Sequence, residues 1–224
     1  MKHSEVLSRY VNTGQRIPEK QFDRLTPVLK KSYLRMRGVA VNYSRWEFKV
    51  ISDIQRINYI EKKGEKLDHI EIEDLLKYSV NKDDIATKII EAKGDTLNND
   101  GNSYYFLLDY SQNKDLISTK IIEAKGKKLD SNEIFYSLKY SVNKDDIATK
   151  IIRTKDENYK KIDISYLLQL SHNKEIIKKL LLQKGIDYKL INDVITNDDI
   201  DIPLIPDNYQ SMLQEIRRIK EIMI

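Results

Sequence analysis

One phrase constrains this chain more than any other feature. Tyr78-Ser-Val-Asn-Lys-Asp-Asp-Ile-Ala-Thr-Lys-Ile-Ile90 recurs, residue for residue, from Tyr140 to Ile152. A looser copy runs from Tyr110 to Ile122, and a worn one from Leu170 to Leu182. The loop asparagines Asn81, Asn113, Asn143 and Asn173 lie 32, 30 and 30 residues apart. A period in this range marks supersecondary units that cannot bury their apolar faces alone and stack on their neighbours instead.

Each copy reads as two helices and two turns. In the copy from Gly94 to Gly126, Asn102 or Ser103 caps a helix over Tyr104 to Tyr110, and Ser111-Gln-Asn113 makes a turn. Asn113 then caps a second helix, Lys114 to Lys125, because its side-chain oxygen accepts an orphan amide. Ile117, Ile121 and Ile122 share a helical face. Gly64, Gly94, Gly126 and Gly185 stop the second helices in a left-handed cap, with Asp156 tolerating that conformation in their place. Three residues on come Leu67, Leu97, Leu129, Tyr159 and Tyr188, followed in the first three cases by Asp68, Asn98 and Asp130, suited to a turn or to capping the next helix. The longer spacing falls at Asn99-Asp-Gly-Asn102, a turn-forming insertion. The expected fold is all-α: an α-solenoid of about five ~30-residue helix–turn–helix repeats, ~40–50 Å long, with helical N- and C-terminal caps.

Three segments follow: a basic helical module over 1–60, the repeats over 61–200, and a connector with an amphipathic helix over 201–224. Residues 1–50 carry eleven Lys/Arg against four acids, whereas the whole chain is only +4. Thr26-Pro27 reads as an N-cap with a proline at the first helical position, and Ser44-Arg-Trp-Glu47 as a capping box opening a helix that runs to Gly64. Tyr209, Met212, Ile216, Ile219 and Met223 form a short heptad stripe, a candidate self-association surface within 207–224.

Asn173 to Asn192, containing Leu-Leu-Leu-Gln-Lys-Gly-Ile-Asp-Tyr-Lys-Leu-Ile-Asn, resembles the second helix and exit turn of an ankyrin repeat. Lys120 to Asp130 and Lys88 to Asn98 resemble it more loosely, so the likeness covers roughly 60–190. Ankyrin's Thr-Pro-Leu-His opening is missing from every unit, and the period is about three residues shorter. The resemblance implies an ankyrin-like or HEAT-like α-solenoid that binds protein.

Composition narrows the chemistry. There is no cysteine, which removes disulfides and thiolate metal sites. No apolar run approaches the ~18 residues of a membrane span, so no membrane partner is expected and the location expected is cytoplasmic, or a host cytoplasm or virion. His3, His69 and His172 form no ligand-spaced pair, and Thr96 to Leu107 lacks the terminal carboxylate of a calcium loop; no metal or cofactor is assigned. Asp83-Asp84 and Asp145-Asp146 belong to the copied phrase and sit where carboxylates favour a helix dipole, so no catalysis is assigned. Tyr78, Tyr110 and Tyr140 share one repeat slot and read as a packing ladder.

The function expected is a non-enzymatic protein-binding scaffold. Its partner contacts should lie where similar copies differ: Val80/Gln112/Val142/His172, and the helix starts His69, Tyr104, Glu133 and Ser165. Two alternatives stand beside it. One is nucleic-acid binding through 20–49, with Lys30, Lys31, Arg35, Arg37 and Arg45 on phosphates and Trp46 stacking on bases; the competing account is a solvated helix face with Trp46 and Phe48 packed on the first repeat. The other is a structural role in a virion-type assembly. Heavy use of Lys, Ile, Asn, Asp and Tyr fits an AT-rich genome and would suit a viral or phage host-directed binder.

Overall fold

The computed structural model describes residues 17–37, 43–97, 103–156 and 158–196. The insertion at 99–102, the connector after 198 and the stripe within 207–224 lie outside the described residues. Among the described residues there are twelve α-helices, four single 3-10 turns and no strand. The all-α class expected from the sequence holds.

Helices α1 (Glu19–Asp23) and α2 (Pro27–Arg37) precede the 3-10 turn Glu47–Lys49. Ten helices follow: α3 (Asp53–Lys63), α4 (His69–Lys77), α5 (Lys82–Lys93), α6 (Ser103–Tyr110), α7 (Lys114–Lys125), α8 (Ser131–Tyr140), α9 (Lys144–Thr154), α10 (Lys161–Leu170), α11 (Lys174–Gln183) and α12 (Tyr188–Thr196). They pack in two rows. One row joins α3, α5, α7, α9 and α11, each to the next; the other joins α4, α6, α8, α10 and α12. Sequence-adjacent helices pack across the rows, so one apolar core runs through them.

The copied isoleucines fill that core. Ile85, Ile89 and Ile90 are buried, as are Ile117, Ile121 and Ile122, and Ile147, Ile151 and Ile152. In the worn copy Ile177 and Leu181 are buried but Leu182 is exposed. Tyr78, Tyr110 and Tyr140 are half-buried against the core; the Lys82 ammonium lies 5.2 Å from the Tyr110 ring and Lys114 lies 4.9 Å from Tyr140. Burial pushes the Tyr140 hydroxyl well above its ordinary range.

Several helix starts and stops differ from those expected. Ser44 donates both its N–H and its Oγ to Glu47 Oε2, each at 2.6 Å, but Glu47 N–H goes to the Ser44 carbonyl at 2.9 Å, so no full capping box forms and the pair opens only the 3-10 turn. The long helix begins afresh at Ser52, whose side chain caps Gln55 N–H in a true capping box. That helix, α3, falls inside the 1–60 segment yet packs in a row with α5.

The glycine stops differ from a left-handed cap. Gly64, Gly94 and Gly126 take φ near +50° with ψ near −130°, where a side chain is disfavoured more strongly than in the left-handed helical region. Asp156 therefore does not copy them. No non-glycine residue described has positive φ, and α9 leaves through an extended Lys155 with no 3-10 turn. Leu67, Leu97, Leu129 and Tyr159 are buried behind these turns, but Tyr188 is exposed and Ile186 takes the buried place.

Candidate docking edge and basic groove

The loops that begin the odd-numbered helices are fixed by the preceding member of the same row. Asp53 accepts the backbone N–H groups of Val80 and Asn81 at 3.1 and 2.9 Å. Asp83 accepts those of Gln112 and Asn113 at 2.8 and 3.1 Å. Asp115 accepts those of Val142 and Asn143 at 2.8 and 3.2 Å, plus the Asn143 amide at 2.7 Å. Asp145 accepts those of His172 and Asn173 at 2.8 and 3.1 Å. These amides precede a helix and have no intrahelical acceptor, so a carboxylate from the neighbour satisfies a pair that would otherwise be orphaned. Burial alone would push the Asp53 carboxyl up; the Asn81 amide and the Arg56 guanidinium help to outweigh it and hold it below its ordinary range.

The acids of the copied phrase therefore do more than complement a dipole. The first of each pair clamps the next loop; the second, Asp84 or Asp146, faces solvent. The asparagines divide as well. Asn113 and Asn173 cap their own helices through Leu116 and Ile176 N–H, while Asn81 and Asn143 do not and bond instead to Asp84 and Asp115.

Above the clamps runs a row of exposed apolar side chains. The loop-tip slot holds Val50, Val80, Gln112, Val142 and His172; the slot after the four clamp residues holds Ile54, Asp84, Leu116 and Asp146, and Ile176 takes the same place after Glu175. Val50, Ile54, Val80, Leu116, Val142 and Ile176 are 40% to 90% exposed, and they are six of the nine large hydrophobic side chains so exposed among the described residues. Gln112 and His172, both expected at a recognition surface, are exposed on this edge. The sequence carried a signal for the members not foreseen: Ile54, Leu116 and Ile176 are apolar where the copied phrase has aspartate.

The helix-start candidates lie elsewhere. His69 is half-buried beside the cap Asp68. Tyr104, Glu133 and Ser165 are buried and cannot meet a partner. Tyr104 packs on Tyr136, ring centres 5.2 Å apart, and Ser165 is inside α10's packed face. Glu133 closes a capping box with Asp130 and meets the Lys125 ammonium at 3.2 Å. Burial raises the Glu133 carboxyl above its ordinary range, against the pull of the Asp130 amide and Lys125. Lys125 belongs to a series placed just before the helix stops. Lys93 donates to Leu67 O at 2.7 Å, Lys125 to Asp95 O at 3.0 Å, Lys155 to Leu129 O and Lys184 to Arg153 O at 3.3 Å, each reaching back to the preceding exit turn or helix end.

The basic segment divides into engaged and open cations. Arg45 grips the buried Asp74, Nε to Oδ2 at 3.0 Å, with Glu73 at 3.8 Å. Burial raises the Asp74 carboxyl above its ordinary range, and Arg45 opposes that shift. Trp46 packs on Phe22 and Tyr33 in a small second core with Ile17, ring centres 4.9 and 6.2 Å away. Phe48 is buried in the main core. Arg45 is thus engaged by carboxylates and Trp46 by neighbouring rings, although both side chains stay partly exposed. The Arg37 side chain lies outside the described residues. Lys30, Lys31 and Arg35 remain, on one wall of an open groove of about 760 Å³. Ser52, Gln55 and Asn58 of α3 form the other wall, with Pro27, Leu34 and Val50 between.

Among the described residues no His/Cys/Asp/Glu cluster is arranged to hold a metal, and no helix is long and apolar enough to cross a membrane. Compared with protein-family models, curated proteins and solved structures, the chain matches none. The reading of function rests on the edge and the groove.

Proposed function

We propose that this protein is a non-enzymatic scaffold, an α-solenoid of about five ~30-residue helical hairpins whose clamped edge docks another protein. The observation that supports it best is the row from Val50 to Ile176. A single exposed valine is ordinary, because much of any protein surface is apolar. Six exposed apolar side chains recurring at two sequence slots along one row of helices give that edge an apolar character that isolated residues lack, and such exposed apolar surface marks interaction sites. The edge is also held ready: four of its five loop tips, all but Val50, are pinned by a neighbouring carboxylate, so little ordering is left to oppose association there. Gln112, His172, Asp84 and Asp146 interrupt it with polar groups suited to fixing register.

The test compares baits in a pull-down: wild type, Val80→Asp with Val142→Asp, and Lys88→Ala elsewhere on α5. The edge variant is expected to lose the bound protein and Lys88→Ala to retain it. A captured protein indifferent to the edge substitutions would sink this reading.

A further inference from the structure

We propose that the groove between α2 and α3 binds an acidic peptide segment of the docked protein, and that the segment's apolar side chains continue along the row beginning at Val50. This rests on the docking reading of the edge.

Charge is the first argument. Lys31 and Arg35 are one turn apart on α2, and Lys30 stands beside them. No acid lines the groove, and none of the three cations is ion-paired among the described residues. Three other cations of this region are matched: Arg45 by Asp74, Lys49 by Glu19 at 3.0 Å, Arg56 by Asp53 at 2.7 Å. The Lys30 ammonium lies 5.3 Å from the Phe22 ring, which steadies it without neutralising it. Three unmatched positive groups around one concavity focus a field that an anion relieves.

The lining then selects among anions. No aromatic side chain borders the groove, and Phe22, Tyr33 and Trp46 are occupied with one another. A single-stranded nucleic acid would find no stacking face and few phosphate partners. A peptide finds carboxylate partners on α2, an apolar floor at Leu34 and Val50, and the Asn58 amide opposite. Gln55 is not available, since its oxygen accepts from Ser52 and its amide donates to Leu34 O at 2.7 Å.

Continuity supplies the last argument. Val50 lines the groove and is also the first member of the exposed row, with Ile54 and Val80 next. Packed helices stand about 8–10 Å apart, and an extended chain advances about 3.3 Å per residue. A segment with a cluster of acids and an apolar residue at every third position therefore matches both features.

The probe is a fluorescein-labelled peptide, Glu-Glu-Asp-Glu-Leu-Gly-Ser-Leu-Gly-Ser-Leu, titrated with the full chain by anisotropy, beside its Lys-for-acid counterpart and a single-stranded oligonucleotide. Saturable binding of the acidic peptide is expected, weakened about tenfold or more by Lys30→Glu, Lys31→Glu and Arg35→Glu together. The milder Lys31→Gln with Arg35→Gln, expected to give a partial loss, serves if the triple variant does not melt cooperatively. The proposal is overturned if the acidic peptide does not bind at low salt, if charge removal leaves its affinity unchanged, or if the oligonucleotide binds more tightly. A partner that needs Val80 and Val142 but not the cations overturns the groove and leaves the edge standing. An acidic peptide held by the cations but indifferent to Val80→Asp and Val142→Asp supports the groove and counts against the edge.

Discussion

Asp115 and Asp146 look interchangeable in sequence, yet they differ in consequence. Asp115 receives two backbone amides and one side-chain amide from the following loop, whereas Asp146 faces solvent. Asp115→Ala should cost about 1–3 kcal/mol in urea unfolding, the usual range for stranding polar groups; Asp146→Ala should stay within about 0.5 kcal/mol. Asp53 gives the pH signature of the same contact. Its folded pKa lies below the ordinary 3.8, so its contribution is complete above that value and is lost as pH falls through the folded pKa. The stability gap between wild type and Asp53→Asn should be level near neutrality and close only in acid, as followed by melting temperature. Little of this is legible in the sequence. A carboxylate at a helix start reads as a partner for its own dipole, and nothing local shows that its real partners lie 27 and 28 residues away.

At the scale of elements, the sequence was clearest where the physics is local. The Lys114–Lys125 helix, the Thr26-Pro27 start and the Asp68 and Asp130 caps follow from periodicity and capping chemistry. The exit glycines differ in kind from the expected left-handed cap, because a glycine in the sequence signals positive φ without fixing ψ, and Gly94 takes φ +51°, ψ −129°. A methyl group on Gly94 would meet nothing within 4 Å, so its cost is purely conformational. Gly94→Ala should destabilise by about 1–3 kcal/mol, while alanine at Asp156, already in a non-glycine conformation, should be nearly neutral. Ser52→Ala, which removes the cap of α3, should cost about 1 kcal/mol. Equilibrium unfolding of the three variants checks all of these. Glu133 was legible as a variable position but not as a buried one, since burial there depends on α8 meeting Lys125 of α7.

Among the described helices, contacts run between near neighbours, along each row and across the two rows. Stability should therefore be graded along the chain instead of uniform. Native-state hydrogen exchange should find the amides of α7 and α8 most protected, with α11 and α12 opening first. The worn copy agrees: Leu182 is exposed where its counterparts are buried, and Tyr188 has left the core. Equal protection from α3 to α12 would show that the molecule opens only as a single block.

The one-way clamp has a consequence for how such a chain can change length. Each aspartate grips whatever loop follows, and the loops at Tyr78 and Tyr140 are spelled alike. Joining Tyr78 directly to Ser141 removes two helix pairs yet presents Asp53 with the same Val-Asn amides it already holds. Recombination between the two identical phrases would thus yield shorter or longer chains in which the clamp at the seam is unchanged. The excised chain should fold cooperatively, and its circular dichroism should differ from the parent's only in proportion to the helix removed. The molecule carries its own splice points.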